Sequence, residues 1–196
     1  MIRVLFGGSF DPIHRGHRAM IGELLERGLA DVVHVVPAAR SPFKAGTSAS
    51  PEERLVMCGI ALDKADGVVL EDLEIVRGGT SYTIDTLRTL QQRHPDDIWR
   101  LALGADSLES LPRWRESDAL RNAAGLIVFP RVGVTIADGI AVAVVDGFSA
   151  DVSSSDVREA LAAGDVPDHL LPPGVADHIR RLGLYAPDPT GGPSCP

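Results

Sequence analysis

Apolar stretches of strand length alternate along this chain with segments whose apolar positions recur every three or four residues. Arg3–Phe6 predicts a strand, and the turn Gly7–Pro12 follows it. Met20, Ile21, Leu24 and Leu25 then keep a helical period, with Gly28 placed to end the helix. Val32–Val36 is a short β-branched run closed by Pro37, the pattern of a strand buried on both faces. Ser50-Pro51-Glu52-Glu53 predicts a helix start, with Ser as cap, Pro at the first helical position and Glu three after the cap. That helix carries Leu55, Val56, Ile60 and Leu62. Val68–Ile75 reads as a strand and Thr83–Arg93 as a helix. Ile98–Leu103, Leu126–Phe129 and Ile140–Val145 read as further strands, with a helical segment over Leu108–Asn122. Ser155–Ala163 and Val175–Leu182 are the closing helices. Strands alternating with helices predict an α/β fold, a Rossmann-like doubly wound and mostly parallel sheet with helices on both faces. Such sheets bind ligands beyond the carboxyl ends of their strands, where the strand order reverses.

Length and composition narrow the function. The 196 residues suit one domain over 1–185, with a Pro/Gly-rich tail over 186–196 expected to be disordered. Asn122–Pro130, nine residues, is the longest stretch free of Asp, Glu, Lys, Arg and His, too short for a spanning helix of about 20. Val4-Leu5-Phe6 meets Gly7-Gly8 at once, which is no secretory signal, so a cytoplasmic address is expected. Cys58 and Cys195 cannot build a disulfide framework or a four-cysteine metal site. The net charge of −8 argues against a nucleic-acid binder with a broad basic face. Residues 1–44 nevertheless hold six Lys/Arg against four Asp/Glu, together with His14, His17 and His34. A locally basic start suggests a small anionic ligand there, although a solvated face would look the same.

The most informative stretch is Gly7-Gly8-Ser9-Phe10-Asp11-Pro12-Ile13-His14-Arg15-Gly16-His17. It leaves a strand and opens a helix, where unpaired backbone N–H groups and the positive dipole end favour an anion. Two glycines let a phosphate come close to the backbone. His14 and His17, three apart, share a face of the first turn, and Gly16 is expected to keep that face open. The plainer reading is a tight strand-to-helix turn with two incidental histidines. A second stretch, Val152-Ser153-Ser154-Ser155-Asp156-Val157-Arg158, puts hydroxyls at a helix start and a charged fork just inside it. By itself it is an ordinary N-cap with a surface arginine; beside the first motif it reads as a second phosphate-binding segment.

These two stretches resemble the HxGH and ISSTxIR motifs of the nucleotidyltransferases that share a Rossmann-like fold. Pro42-Phe43-Lys44, Ser81-Tyr82-Thr83-Ile84-Asp85-Thr86, and Gly104-Ala105-Asp106-Ser107 followed by Leu111-Pro112-Arg113-Trp114 are similar to segments of one family, the bacterial nicotinate-nucleotide adenylyltransferases. The resemblance extends from Ile2 to about Tyr185. It implies a single nucleotidyltransferase domain that moves AMP from ATP to nicotinate mononucleotide, with Mg2+ bound mainly through the ATP phosphates. It further implies His14, His17 and Arg158 as catalytic residues. Gly7, Gly8, Ser9, Phe10, Gly16, Gly104, Asp106, Ser153, Ser154 and Ser155 would bind ATP. Lys44, Tyr82, Thr83 and Trp114 would hold the nicotinate nucleotide, Trp114 stacking on its ring. Ser9 stands for the commoner Thr and keeps the hydroxyl, whereas Phe43 stands for the usual His.

Each of these residues also has a plainer role. Lys44 suits a solvated loop, Trp114 a packed aromatic, and Thr83 and Asp106 helix caps. His34, inside a valine-rich strand, suits a satisfied core histidine, and Cys58 buried packing. Other activities share the phosphate motifs: adenylyl transfer to nicotinamide mononucleotide or a pantetheine phosphate, and cytidylyl transfer to a small alcohol phosphate. A catalytically silent nucleotide sensor is the alternative of a different kind. The partners expected are small molecules, with no nucleic acid or membrane among them.

Overall fold

The computed structural model describes residues 1–43, 46–130, 142–148 and 152–186. Six strands run β1 Ile2–Gly8, β2 Val32–Pro37, β3 Val68–Leu70, β4 Ile98–Gly104, β5 Gly125–Phe129 and β6 Ala143–Val144. The helices are α1 Arg15–Glu26, α2 Pro51–Leu62, α3 Leu73–Arg77, α4 Thr83–Arg93, α5 Ala105–Ser110, α6 Ser117–Ala123, α7 Ser154–Ala162 and α8 Val175–Leu182. One 3₁₀ turn, Leu111–Arg113, separates α5 from α6. All strand pairs are parallel, in the order β3-β2-β1-β4-β5-β6. The order reverses between β1 and β4, so the carboxyl ends of these two strands flank the crevice where doubly wound sheets take ligands.

The period of two along each strand divides the core. Val4 and Phe6 of β1, Val33 and Val35 of β2, and Ala102 of β4 face one way, onto Ile21, Leu24, Met57, Val157 and Ile179. Leu5, Val36, Leu101 and Leu103 face the other, onto Ile84, Leu87, Leu90 and Leu120. Helices therefore cover both faces, as the alternating pattern predicts. Full burial of each large aliphatic side chain stabilises the fold by about 1.5–3 kcal/mol. No helix among the described residues is long and apolar enough to cross a membrane.

His34 is the core histidine expected. It is buried, its Nδ1 lies 2.9 Å from Glu71 Oε1, and its Nε2 lies 3.1 Å from Arg3 Nη1. An arginine only donates, so Nε2 accepts and the Nδ1 proton goes to Glu71. Cys58 is fully buried, and burial pushes its thiol up to about 12, which makes it an unreactive packing group.

Three elements depart from the sequence expectation. The strand predicted over Val68–Ile75 stops at Leu70, and Leu73–Arg77 is a short helix. Glu74 turns inward there and accepts the Thr86 hydroxyl from α4, a long-range partner that local alternation does not reveal. The helix predicted over Leu108–Asn122 is broken by the 3₁₀ turn, because Pro112 has no N–H to continue it and Glu116 takes a left-handed φ of 50°. Of the strand predicted over Ile140–Val145, only Ala143–Val144 is a strand among the described residues.

Candidate active site

The loop after β1 is held by its own side chains. Phe10 has a φ of 47°, a conformation that costs a non-glycine residue roughly 1–3 kcal/mol and persists only where its surroundings enforce it. Here the Phe10 ring is buried, edge-on to Phe6 at 5.6 Å and to His17 at 5.0 Å between centroids. A Cβ on Gly8 would sit 3.0 Å from the tip of that ring, so glycine leaves the space that the ring needs.

His14 is the N-cap of α1. Its Nδ1 accepts the His17 N–H at 3.4 Å, and His17 Nδ1 accepts the His14 N–H at 3.2 Å. The two rings stack with centroids 3.7 Å apart. Because both Nδ1 atoms accept from the backbone, the ring proton of each neutral imidazole is on Nε2. Burial lowers the His14 pKa to about 4, with the Asp156 charge opposing the shift in part. At neutral pH His14 is therefore an uncharged donor through Nε2.

Gly16 has a different role from the open face expected of it. A Cβ there would meet Val152 at 2.8 Å and the His14 ring at 3.0 Å, so Gly16 permits close packing of α1 against the segment leading into α7. That segment closes the site from the far end of the chain. Ser153 caps α7, accepting the Asp156 N–H at 3.2 Å, while Asp156 accepts the Ser153 N–H at 2.9 Å. Ser154 Oγ donates to the Pro12 carbonyl at 3.0 Å. Arg158 Nη1 donates to the Asp11 carbonyl at 2.7 Å, and its Nη2 donates to Ser155 Oγ at 3.2 Å. Asp11 and Arg158, 147 residues apart in sequence, thus join the two motifs into one constellation of His14, His17, Arg158 and three serine hydroxyls. A cleft of about 490 Å³ opens beside it, lined by Arg158, Ser155, Ser48, Glu159 and Tyr185.

The second half of the expected site gathers at the ends of β2 and β4 and the start of α4. Gly104 is the N-cap of α5 and Asp106 lies in its first turn, so Asp106 is not itself the cap. Tyr82, not Thr83, occupies the N-cap position of α4; Thr83 is the first helical residue. Ser81 Oγ accepts the Ala39 N–H at 3.0 Å and the Ser81 N–H reaches the Arg40 carbonyl at 2.9 Å, which joins the loop after β2 to the start of α4. Trp114 donates from Nε1 to Ser110 Oγ at 3.0 Å and stacks on Phe43, with centroids 6.2 Å apart. The Arg115 guanidinium lies 4.8 Å from the centre of the Tyr82 ring. Lys44 lies outside the described residues.

The chain matches the cytidylyltransferase-like family model over residues 5–160. A "Probable nicotinate-nucleotide adenylyltransferase" of Gemmatimonas aurantiaca is 33% identical, with 95% of this chain and 93% of that one aligned. One of the same name from Gloeobacter violaceus is 38% identical over 92% of this chain and 94% of the relative. The chain belongs to the nicotinate-nucleotide adenylyltransferase family. Its fold is also that of a Plasmodium falciparum nicotinic acid mononucleotide adenylyltransferase solved with NaAD, at a TM-score of 0.80 and 22% identity, covering 94% of this chain and 97% of that one.

Two residues of this family member escaped the sequence reading as site residues. Asp11 is buried, and its carboxylate accepts the Ser48 N–H at 2.8 Å, the Ala49 N–H at 3.1 Å and the Tyr185 hydroxyl at 2.9 Å. Arg54 is fully buried in α2. A signal for it exists: Arg54 falls three, four and seven residues before Met57, Cys58 and Ala61, which places a charge on the apolar face of its helix.

Proposed function

We propose that this chain transfers the adenylyl group of ATP to nicotinate mononucleotide, releasing pyrophosphate and forming nicotinate adenine dinucleotide. The observation that carries this reading is the convergence of the His14–His17 stack and Arg158 at the sheet's switch point, tied by the 2.7 Å bond from Arg158 to the Asp11 carbonyl. The names of the relatives supply the acceptor.

In this mechanism the 5′-phosphate oxygen of the acceptor attacks the α-phosphorus in line, and the bond from that phosphorus to the bridging oxygen of pyrophosphate breaks. No protein nucleophile takes part, so the protein's contribution is orientation and charge stabilisation. His14 and His17 donate through Nε2 to the triphosphate, with His17 nearest the charge that develops at the α-phosphate. A neutral His14 suits this task, since a donor needs no positive charge. Arg158 adds a charged fork, and Ser153, Ser154 and Ser155 add hydroxyls. Gly7, Gly8, Ser9, Phe10 and Gly16 bring backbone close to the phosphates, while Gly104 and Asp106 serve the adenosine side. Trp114 stacks on the pyridine ring, Tyr82 and Thr83 hold its carboxylate at the start of α4, and Lys44 neutralises phosphate. Mg2+ enters with the nucleotide, bound mainly through the ATP phosphates.

The deciding experiment is pyrophosphate release from ATP and Mg2+ with nicotinate mononucleotide, nicotinamide mononucleotide and phosphopantetheine in parallel. The proposal expects the first to be fastest. Release only with phosphopantetheine would retain the phosphate site and remove the pyridine pocket. ATP binding without turnover on any of the three would favour a sensor.

A further inference from the structure

Arg54 heads the largest fully buried side chains among the described residues, and it spends its guanidinium on backbone carbonyls. Its Nη1 donates to Ser9 at 2.6 Å, its Nη2 to Ala39 at 3.1 Å and its Nε to Ala49 at 3.4 Å. These carbonyls belong to three different segments: the loop after β1, the loop after β2, and the approach to α2. Removing a guanidinium from water carries a large desolvation cost, and an apolar side chain of the same volume would fill the space without it. An apolar side chain cannot hold the β1–α1 and β2–α2 connections in register.

The contact with Ser9 has a geometric consequence. The Ser9–Phe10 peptide is trans, so its carbonyl and N–H point in opposite directions. With the carbonyl drawn down onto Arg54, the Phe10 N–H is turned away from the buried guanidinium. Among the described residues no group accepts that N–H. We propose that Arg54 is a positioning residue for the nucleotide: it sets the Ser9–Phe10 peptide plane and so aims the Phe10 N–H at the ATP phosphates. Asp11 works from the adjoining residue of the same loop. Its carboxylate gathers the Ser48 and Ala49 amides and the Tyr185 hydroxyl, and its carbonyl receives Arg158. Arg54 and Asp11 thereby tie the loop after β1 to the approach to α2, Arg54 through carbonyls of both segments and Asp11 through the Ser48 and Ala49 amides. This inference rests on the phosphate-site reading above.

The test uses full-length Arg54→Lys and Arg54→Met. Four quantities are measured: MgATP affinity by calorimetry, kcat, KM for nicotinate mononucleotide, and the thermal transition. Arg54→Met should weaken MgATP binding and lower kcat by about tenfold or more, with KM for the acceptor within about threefold of wild type. Arg54→Lys retains donors for one or two of the carbonyls and should recover part of both losses. Folded variants with MgATP affinity and kcat within about twofold of wild type would overturn the assignment. So would losses of every parameter in proportion to the unfolded fraction. If Arg54→Met does not fold, Arg54→Lys decides by the same thresholds. A wild type that binds MgATP but does not turn over nicotinate mononucleotide counts against the acceptor alone, and the affinity comparison still judges Arg54.

Discussion

His14 and His17 are a pair whose chemistry follows from four atoms. Each Nδ1 takes the other residue's backbone N–H, so the proton of each neutral ring is on Nε2. We expect His17→Ala to lower kcat by about 10²–10³, the scale for losing one transition-state donor, with the thermal transition retained. A loss below about threefold in steady-state assays would remove His17 from the role. The pH dependence of stability has a definite sign at His14. Its folded pKa, about 4, lies below the ordinary 6.5, so between these values the unfolded chain binds the extra proton. Stability present above pH 6.5 is then lost as pH falls toward 4, by about 3 kcal/mol for this residue. Urea titrations at pH 7 and 4.5 should show a smaller acid-side loss in His14→Gln than in wild type.

At the scale of elements, α1 and the segment leading into α7 approach so closely that one hydrogen-sized side chain decides the fit. Gly16→Ala places a methyl 2.8 Å from Val152 Cγ1 and 3.0 Å from the His14 ring. It should destabilise the fold by about 1–3 kcal/mol, read from chemical denaturation, and lower kcat because the stacked pair must shift. The helix starts were legible where a local cap defines them: Ser50 with Pro51 opens α2 as the sequence predicts, and the serine hydroxyls expected at a later helix start include Ser153, the cap of α7. They were misread where a distant partner decides the element or where a breaker inside the segment was passed over. Leu73–Arg77 looks like strand until Glu74 is seen against Thr86, and Leu108–Asn122 looks like one helix until Pro112 and Glu116 break it.

Across the whole molecule, the reversal of strand order between β1 and β4 sets the phosphate constellation beside the ends that carry Gly104, Trp114 and the start of α4. The two halves should therefore be separable in kinetics. Trp114→Ala should raise KM for nicotinate mononucleotide by about tenfold, corresponding to about 1.4 kcal/mol of stacking, and leave KM for ATP within about twofold. A larger rise for ATP than for the acceptor would move Trp114 out of the pyridine pocket.

By itself the sequence determined the alternation of strands and helices, the parallel sheet, and the two motifs that hold His14, His17 and Arg158, because period, capping and turn chemistry act over a few residues. Only the tertiary structure decided which segments meet. Arg158 reaches the Asp11 carbonyl, Tyr185 reaches the Asp11 carboxylate, and Arg54 gathers Ser9, Ala39 and Ala49. Except for Ala49, five residues before Arg54, these partners are distant in the chain and are brought together by the order in which six strands lie side by side, and no local periodicity records that order.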